Sequence, residues 1–250
     1  MPRCLKLFIL NFFFILNALN FSLNACAPSL SSNHKRYSDS DSLFSVRLSA
    51  QAGLTLAELV GHNVADLSAG GNSKPLLGFQ CGISAANRFS RRWGFAHHLD
   101  YLQQGAKVQL IDSQASAYPS VFRLHALRIA PLNLFFQHKN LQLSLGPYLS
   151  LLLDAHIQKK DPKGELFQDH SIFGNPQQLS QYAQKVDGGI HLRAAYLWPN
   201  GLEISFAYQK GFLSVIENAA SVPSPGVKPK PQPQIFNQIF SLSIGYVFLR

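Results

Sequence analysis

Leucine at alternate positions is the feature that most restricts this chain. Between Val121 and Asp154 it reads VFRLHALRIAPLNLFFQHKNLQLSLGPYLSLLLD. In the second half, Leu141, Leu143, Leu145, Leu149, Leu151 and Leu153 fall on one face, and Gln142, Ser144, Gly146, Ser150 and Asp154 on the other. A period of two is that of a strand and not of a helix. The first half reads as a strand too, with Phe122, Leu124, Ala126, Ala130, Leu132, Leu134 and Phe136 on one face and Gln137 to Asn140 as the turn. Arg128 interrupts that face. Pro131 cannot donate to a ladder, so a bulge is expected between Arg128 and Pro131. A leucine face opposite a small polar face suits a sheet packed on a core. It equally suits a barrel with lipid outside and a polar interior.

The rest of the chain separates these cases. Further alternating segments lie at Phe44–Leu54, Leu77–Ala85, Trp93–Gln103, Gly189–Trp198, Leu202–Gln209 and Gln238–Phe248. With the two strands of the leucine hairpin they make eight. Each is close to the length that a tilted strand needs to cross a bilayer. Long connections are expected after the first, third, fifth and seventh strands, with Gly105 to Pro119 as one of them. Short turns are expected after the second, fourth and sixth. Long outward loops alternating with tight inward turns are the rhythm of an outer-membrane barrel. Phe44, Trp93, Tyr101, Phe122, Phe136, Tyr196, Trp198, Tyr208 and Phe248 lie near strand ends, where interfacial girdles form. The fold expected over residues 44–250 is therefore all-β, an eight-stranded antiparallel up-and-down transmembrane β-barrel. A soluble periplasmic carrier of lipocalin type is the alternative, with its apolar face turned inward.

Composition and the N-terminus point the same way. Only 14% of the 250 residues are charged, against roughly a quarter in an average soluble protein. Arg3 and Lys6 precede an apolar stretch from Leu7 to Leu23, the n- and h-regions of a secretory signal peptide assigned to residues 1–27. Ala25-Cys26-Ala27 has the small-x-small form of a cleavage site. Leu23-Asn24-Ala25-Cys26 has the form of a lipobox, which would make Cys26 a lipidated first residue. Residues 28–43 are polar and Ser-rich and read as a flexible segment. Cys4, Cys26 and Cys81 provide no disulfide framework. The formal charge is +9, but the basic residues are scattered and no basic helix is visible, so no nucleic-acid partner is expected.

Several segments resemble the PorT-like outer-membrane β-barrel family of Bacteroidota. LLGFQCGISAANRFSRRWGFAHHLDYLQQGAK is similar to that family's second hairpin, and LRIAPLNLFFQHKNLQLSLGPYLSLLLDA to its strand–Pro–strand hairpin. KVDGGIHLRAAYLWPNGLEISFAYQKGFLSV resembles its Asp-x-Gly strand and Asn-Gly hairpin, and FSLSIGYVF its closing strand. The resemblance implies an eight-stranded outer-membrane barrel of a Gram-negative bacterium. It implies no activity, since only the named member is linked to secretion.

No catalytic machinery is legible. There is no Gly-x-Ser-x-Gly elbow and no phosphate-binding loop. His97 and His98 point to opposite faces and cannot share one metal. Arg47, His98, Asp100, Arg123, His125, Asp154, His191, Arg193 and Glu203 are assigned to the lumen, opposite the leucines and aromatics. Ion pairs among them would plug an eight-stranded barrel, whose interior is just wide enough to be filled by side chains. The function expected is structural, adhesive or secretion-accessory, exercised through the outward loops. An outer-membrane lipid-modifying enzyme is the alternative. No cofactor is expected. The partners expected are outer-membrane lipid and, through the loops, other envelope proteins.

Overall fold

The computed structural model describes residues 46–64, 68, 73–111, 116–160, 164–170, 184–216 and 234–249. The expected leader, the polar segment 28–43, Cys26 and Phe44 lie outside these. The strands are β1 (Val46–Val60), β2 (Lys74–Arg88), β3 (Trp93–Ile111), β4 (Ala117–His138), β5 (Leu141–Lys160), β6 (Leu166–Asp169), β7 (Val186–Leu197), β8 (Leu202–Gly211) and β9 (Phe236–Leu249). They run in the order β4-β3-β2-β1-β9-β8-β7-β5-β6, and a further β4–β5 pairing closes the ring. All pairings are antiparallel. Eight strands form the barrel; β6 is an addition to the outer half of β5. Closure leaves the wall without an edge, which a sheet in hydrocarbon requires.

The faces are those of a barrel in lipid. Leu141, Leu143, Leu145, Leu149, Leu151 and Leu153 are 39–57% exposed on the outside. Leu54, Phe79, Ile83, Leu192, Phe206, Leu242 and Ile244 continue the same belt around the ring. Ser49, Gln51, Gln80, Gln142, Ser144, Ser150, Ser205, Ser241 and Ser243 are buried inside. A lipocalin-like carrier would have these two sets exchanged, so that alternative is set aside. At the end with the short turns, Trp93 packs on Phe136 at 5.1 Å and Tyr196 on Trp198 at 4.8 Å. These are the aromatics of one interfacial girdle. At the other end the outward residues turn polar: Glu58, Lys74, Gln103, His125, Asp154, Lys210 and Gln238.

Three strands are much longer than expected. β3, β4 and β5 have 19, 22 and 20 residues. At ~3.3 Å per residue and a tilt near 40°, β4 rises about 55 Å, roughly twice a ~25 Å apolar band. The ten residues of β8 rise about 25 Å on the same basis. Residues Gly105 to Pro119, expected as a loop, are instead mostly strand: β3 and β4 pair without interruption from Leu102↔Ala126 to Ile111↔Ala117. Gly105 marks a local bend rather than a turn. Its φ is +137°, and a Cβ there would lie 2.1 Å from the Phe122 carbonyl oxygen.

The bulge signalled by Pro131 is present. Between Ile129 and Leu134, β4 spends one residue more than β5 does between Leu149 and Leu145. The same extra residue appears against β3, where Ala96↔Asn133 is followed by His98↔Ala130. A one-residue slip exchanges the two faces of a strand, so everything in β4 before Pro131 is turned over. Phe122, Leu124, Ala126, Arg128 and Ala130 are inside, while Arg123 and His125 are outside. Phe122 is accordingly no girdle residue.

Candidate functional site

The interior is the first candidate. It is built by residues that face inward from five strands and meet at mid-height. Arg128 donates from Nη2 and Nε to Asp100 Oδ2 at 2.8 and 3.3 Å, and from Nη1 to Gln209 Oε1 at 2.7 Å. Gln51 donates to the other Asp100 oxygen at 2.7 Å. Arg193 donates to Gln51 Oε1 at 3.1 Å and is ion-paired with Glu203. The result is one chain of contacts, Gln209–Arg128–Asp100–Gln51–Arg193–Glu203, spanning the lumen. Two guanidiniums balance two carboxylates, so the buried charges are paired, as low-dielectric burial demands. Asn133 holds His191 at 2.8 Å, and the His98 ring lies edge-on to His191 with centroids 5.6 Å apart.

The space for this chain comes from glycine. Gly82 stands opposite Asp100 in register. A Cβ at Gly82 would sit 2.2 Å from Asp100 Oδ1 and 2.5 Å from the Leu99 carbonyl oxygen. Gly82→Val is therefore expected to displace the carboxylate and to cost ~1–3 kcal/mol. A lowered urea midpoint of the detergent-refolded barrel would register it, and an unchanged midpoint would show that the carboxylate can move freely. Nearer the short turns, the Phe135 ring lies over Gly94, Ala96 and Ala86.

One further layer caps the polar one. Toward the outer end, Leu59, Val64, Ala106, Val108, Phe122, Leu124, Ala155, Ile157, Val215 and Ile235 form an apolar cluster. It fills the inside of the tall wall above the membrane belt. Between the two layers, Asp187 accepts from Tyr148 at 3.1 Å and from Asn237 at 3.2 Å. At the short-turn end a cavity of about 270 Å³ opens, with Arg47, Arg88, Phe135, Gln137 and Trp198 among its lining. Arg47 donates there to Gln142, and Arg88 to Gln137.

Of the residues assigned to the lumen from sequence, His98, Asp100, His191, Arg193 and Glu203 are buried within it, and Arg47 lines its inner mouth. Arg123, His125 and Asp154 are corrections. The Pro131 bulge turns Arg123 and His125 outward. A second slip, where His125↔Asp154 is followed by Ala126↔Leu152, adds Leu153 to β5 and leaves Asp154 on the outside, its side chain 51% exposed. Arg128, the apparent blemish on an apolar face, is the residue the lumen is built on. Its position beside a signalled bulge was the clue that could have moved it inside.

The displaced residues gather elsewhere. On the outside of the tall wall, just beyond the leucine belt, a ligand atom from each of His125, Asp154 and His156 lies within 4.8 Å of the others. His170, which follows β6, brings Nδ1 to 3.3 Å from Asp154 Oδ1. The rings of His125 and His156 stack at 5.6 Å, and those of His156 and His170 meet at 5.3 Å.

No family model matches the chain and no curated protein matches it. Among solved structures it is similar to Neisserial surface protein A, at 15% identity over 80% of this chain and 97% of that one, with a TM-score of 0.43. It is also similar to the outer membrane protein OprG from Pseudomonas aeruginosa, at 10% identity over 83% and 98%, TM-score 0.42. Ail, the attachment invasion locus protein of Yersinia pestis, follows at 12% identity over 81% and 99%, TM-score 0.38. At such scores these likenesses add nothing to what the chain's own strands establish. A closed eight-stranded wall, apolar on its outer belt and polar within, is stable only with lipid around it, and barrels of this build reside in the outer membranes of Gram-negative bacteria. The chain is thus a small β-barrel protein of the outer membrane.

Proposed function

We propose that this is a plugged barrel of PorT-like type, a structural, adhesive or secretion-accessory component that works through its outward wall and loops and carries out no catalysis. The observation that supports this reading best is the filled interior. The Arg128–Asp100 and Arg193–Glu203 pairs occupy the lumen at mid-height, and the apolar cluster around Phe122 and Leu124 closes it above. A solute would have to displace both layers. The two carboxylates that a hydrolytic reading would need are each engaged by an arginine, which speaks against the lipid-modifying alternative. A leader over residues 1–27 fits export to the envelope. The partners on this reading are the surrounding lipid and other envelope proteins meeting the tall wall, and nucleic acid has no role.

Planar-bilayer recording tests the proposal. The purified wild-type barrel is expected to insert without producing a stable open level. Sustained conductance steps proportional to salt would show an open pore and overturn the plugged reading.

A further inference from the structure

We propose that His125, Asp154 and His156, joined by His170, bind one divalent transition cation on the outside of the tall wall. Three observations lead there, and the first is convergence. These residues come from β4, from β5 and from the segment after β6. Three departures from regular pairing bring them together: the Pro131 bulge that turns His125 outward and the slip that leaves Asp154 facing outward, and the short β6 return that carries His170 back over β5. The Lys159–Asp169 pair at 2.6 Å fixes the end of that return.

The second observation is ligand chemistry. Three imidazoles and one carboxylate form a nitrogen-and-oxygen set suited to zinc, copper or nickel, and poor for magnesium or calcium. Bonds of ~2.1 Å in tetrahedral geometry put neighbouring ligand atoms about 3.4 Å apart. Asp154 already stands at such distances, its Oδ1 3.3 Å from His170 Nδ1 and its Oδ2 3.6 Å from His156 Nδ1. The 4.8 Å spread among His125, Asp154 and His156 closes, and His170 joins them, by side-chain rotation, for Asp154 and His170 are more than half exposed.

The third observation is that the cluster is prepared rather than satisfied. His156 Nδ1 is buried and has no hydrogen-bond partner. His125 Nδ1 lies 2.5 Å from the Tyr101 hydroxyl. That contact orients the ring and leaves Nε2 for a metal, the arrangement in which an outer-shell partner fixes a ligand histidine. Arg123 stands opposite His156 in register; it is only partly buried, and its long stem can carry the charge into water. The site lies past Leu153, outside the hydrocarbon belt and open to the surroundings of the cell. A bound cation would tie the segment after β6 to β4 and β5.

The full chain, refolded in detergent and free of any affinity tag, should be titrated with Zn²⁺ by calorimetry and with Co²⁺ by visible absorption. One Zn²⁺ per chain is expected, together with Co²⁺ bands of tetrahedral intensity. His156→Ala and Asp154→Asn should each weaken Zn²⁺ at least tenfold, Tyr101→Phe should weaken it roughly tenfold, and His62→Ala should leave it unchanged. Heat-modifiable gel migration establishes that each variant is folded. The wild-type stoichiometry needs no variant at all. Absence of saturable Zn²⁺ binding to the wild type, or equal affinity in a folded His156→Ala barrel, would overturn the proposal.

Discussion

Arg128→Ala is expected to destabilise the barrel by ~3–5 kcal/mol, the usual cost of leaving one member of a buried ion pair unpartnered. Arg128 and Asp100 are 3% and 1% exposed in their side chains. Loss of the guanidinium leaves Asp100 with only Gln51 and frees Gln209 Oε1 as well. The double variant Arg128→Ala/Asp100→Ala should lose clearly less than the two single variants added together, because neither charge is then stranded. Urea unfolding of the four proteins in the same detergent measures this directly. Additive losses, or a loss under about 1 kcal/mol for Arg128→Ala, would mean that the pair is not what holds the lumen together.

The second large effect belongs to the opposite face. Leu145 is 53% exposed near the middle of the leucine belt, flanked in register by Leu134 and Leu192. Leu145→Arg should cost ~2–4 kcal/mol in lipid vesicles, the known penalty for arginine near the bilayer midplane of such a wall. Gln103→Arg, at the outer margin, should cost at most about 1 kcal/mol. In a soluble protein the order would be reversed or absent, since a half-exposed leucine tolerates a charge. Equal stability of the two variants in vesicles would contradict the placement of the belt in hydrocarbon.

Sequence alone reveals the wall best where the chain lies in lipid. From Leu141 to Leu151 one rule holds, apolar out and polar in, and β5 reads correctly by counting. The same rule fails in β4, for two physical reasons. One is parity: the extra residue at Pro131 reverses the faces, and a proline signals a bulge without saying which side gains. The other is that the meaning of an apolar residue changes with height. Leu134 is apolar because it meets lipid. Phe122 and Leu124 are apolar because, above the membrane, the wall needs a core of its own. Nothing in the letters marks the height at which that exchange occurs. The lumen was half legible, since His98, Asp100, His191, Arg193 and Glu203 sit on regularly alternating strands. The histidine cluster was not legible at all. It depends on two register slips and on β6, a strand of four residues in a connection read as loop.

The six residues of the lumenal chain lie on β1, β3, β4, β7 and β8, and β1 meets β9 only when the ring shuts, with Val60 opposite Phe236. The two ion pairs sit within hairpins, Asp100 opposite Arg128 in β3–β4 and Arg193 with Glu203 in β7–β8, but the links Arg128–Gln209 and Arg193–Gln51 join the two halves of the chain across the lumen. A partly assembled barrel can hold both charge pairs on its hairpins but lacks the glutamine links between them. What arrives at closure is the joining of two charge-paired halves, through the β1–β9 pairing and the two glutamine links, contacts far apart in the chain and therefore slow to form. Such a chain can neutralise its buried charges hairpin by hairpin and locks the halves together only when the last strand finds the first.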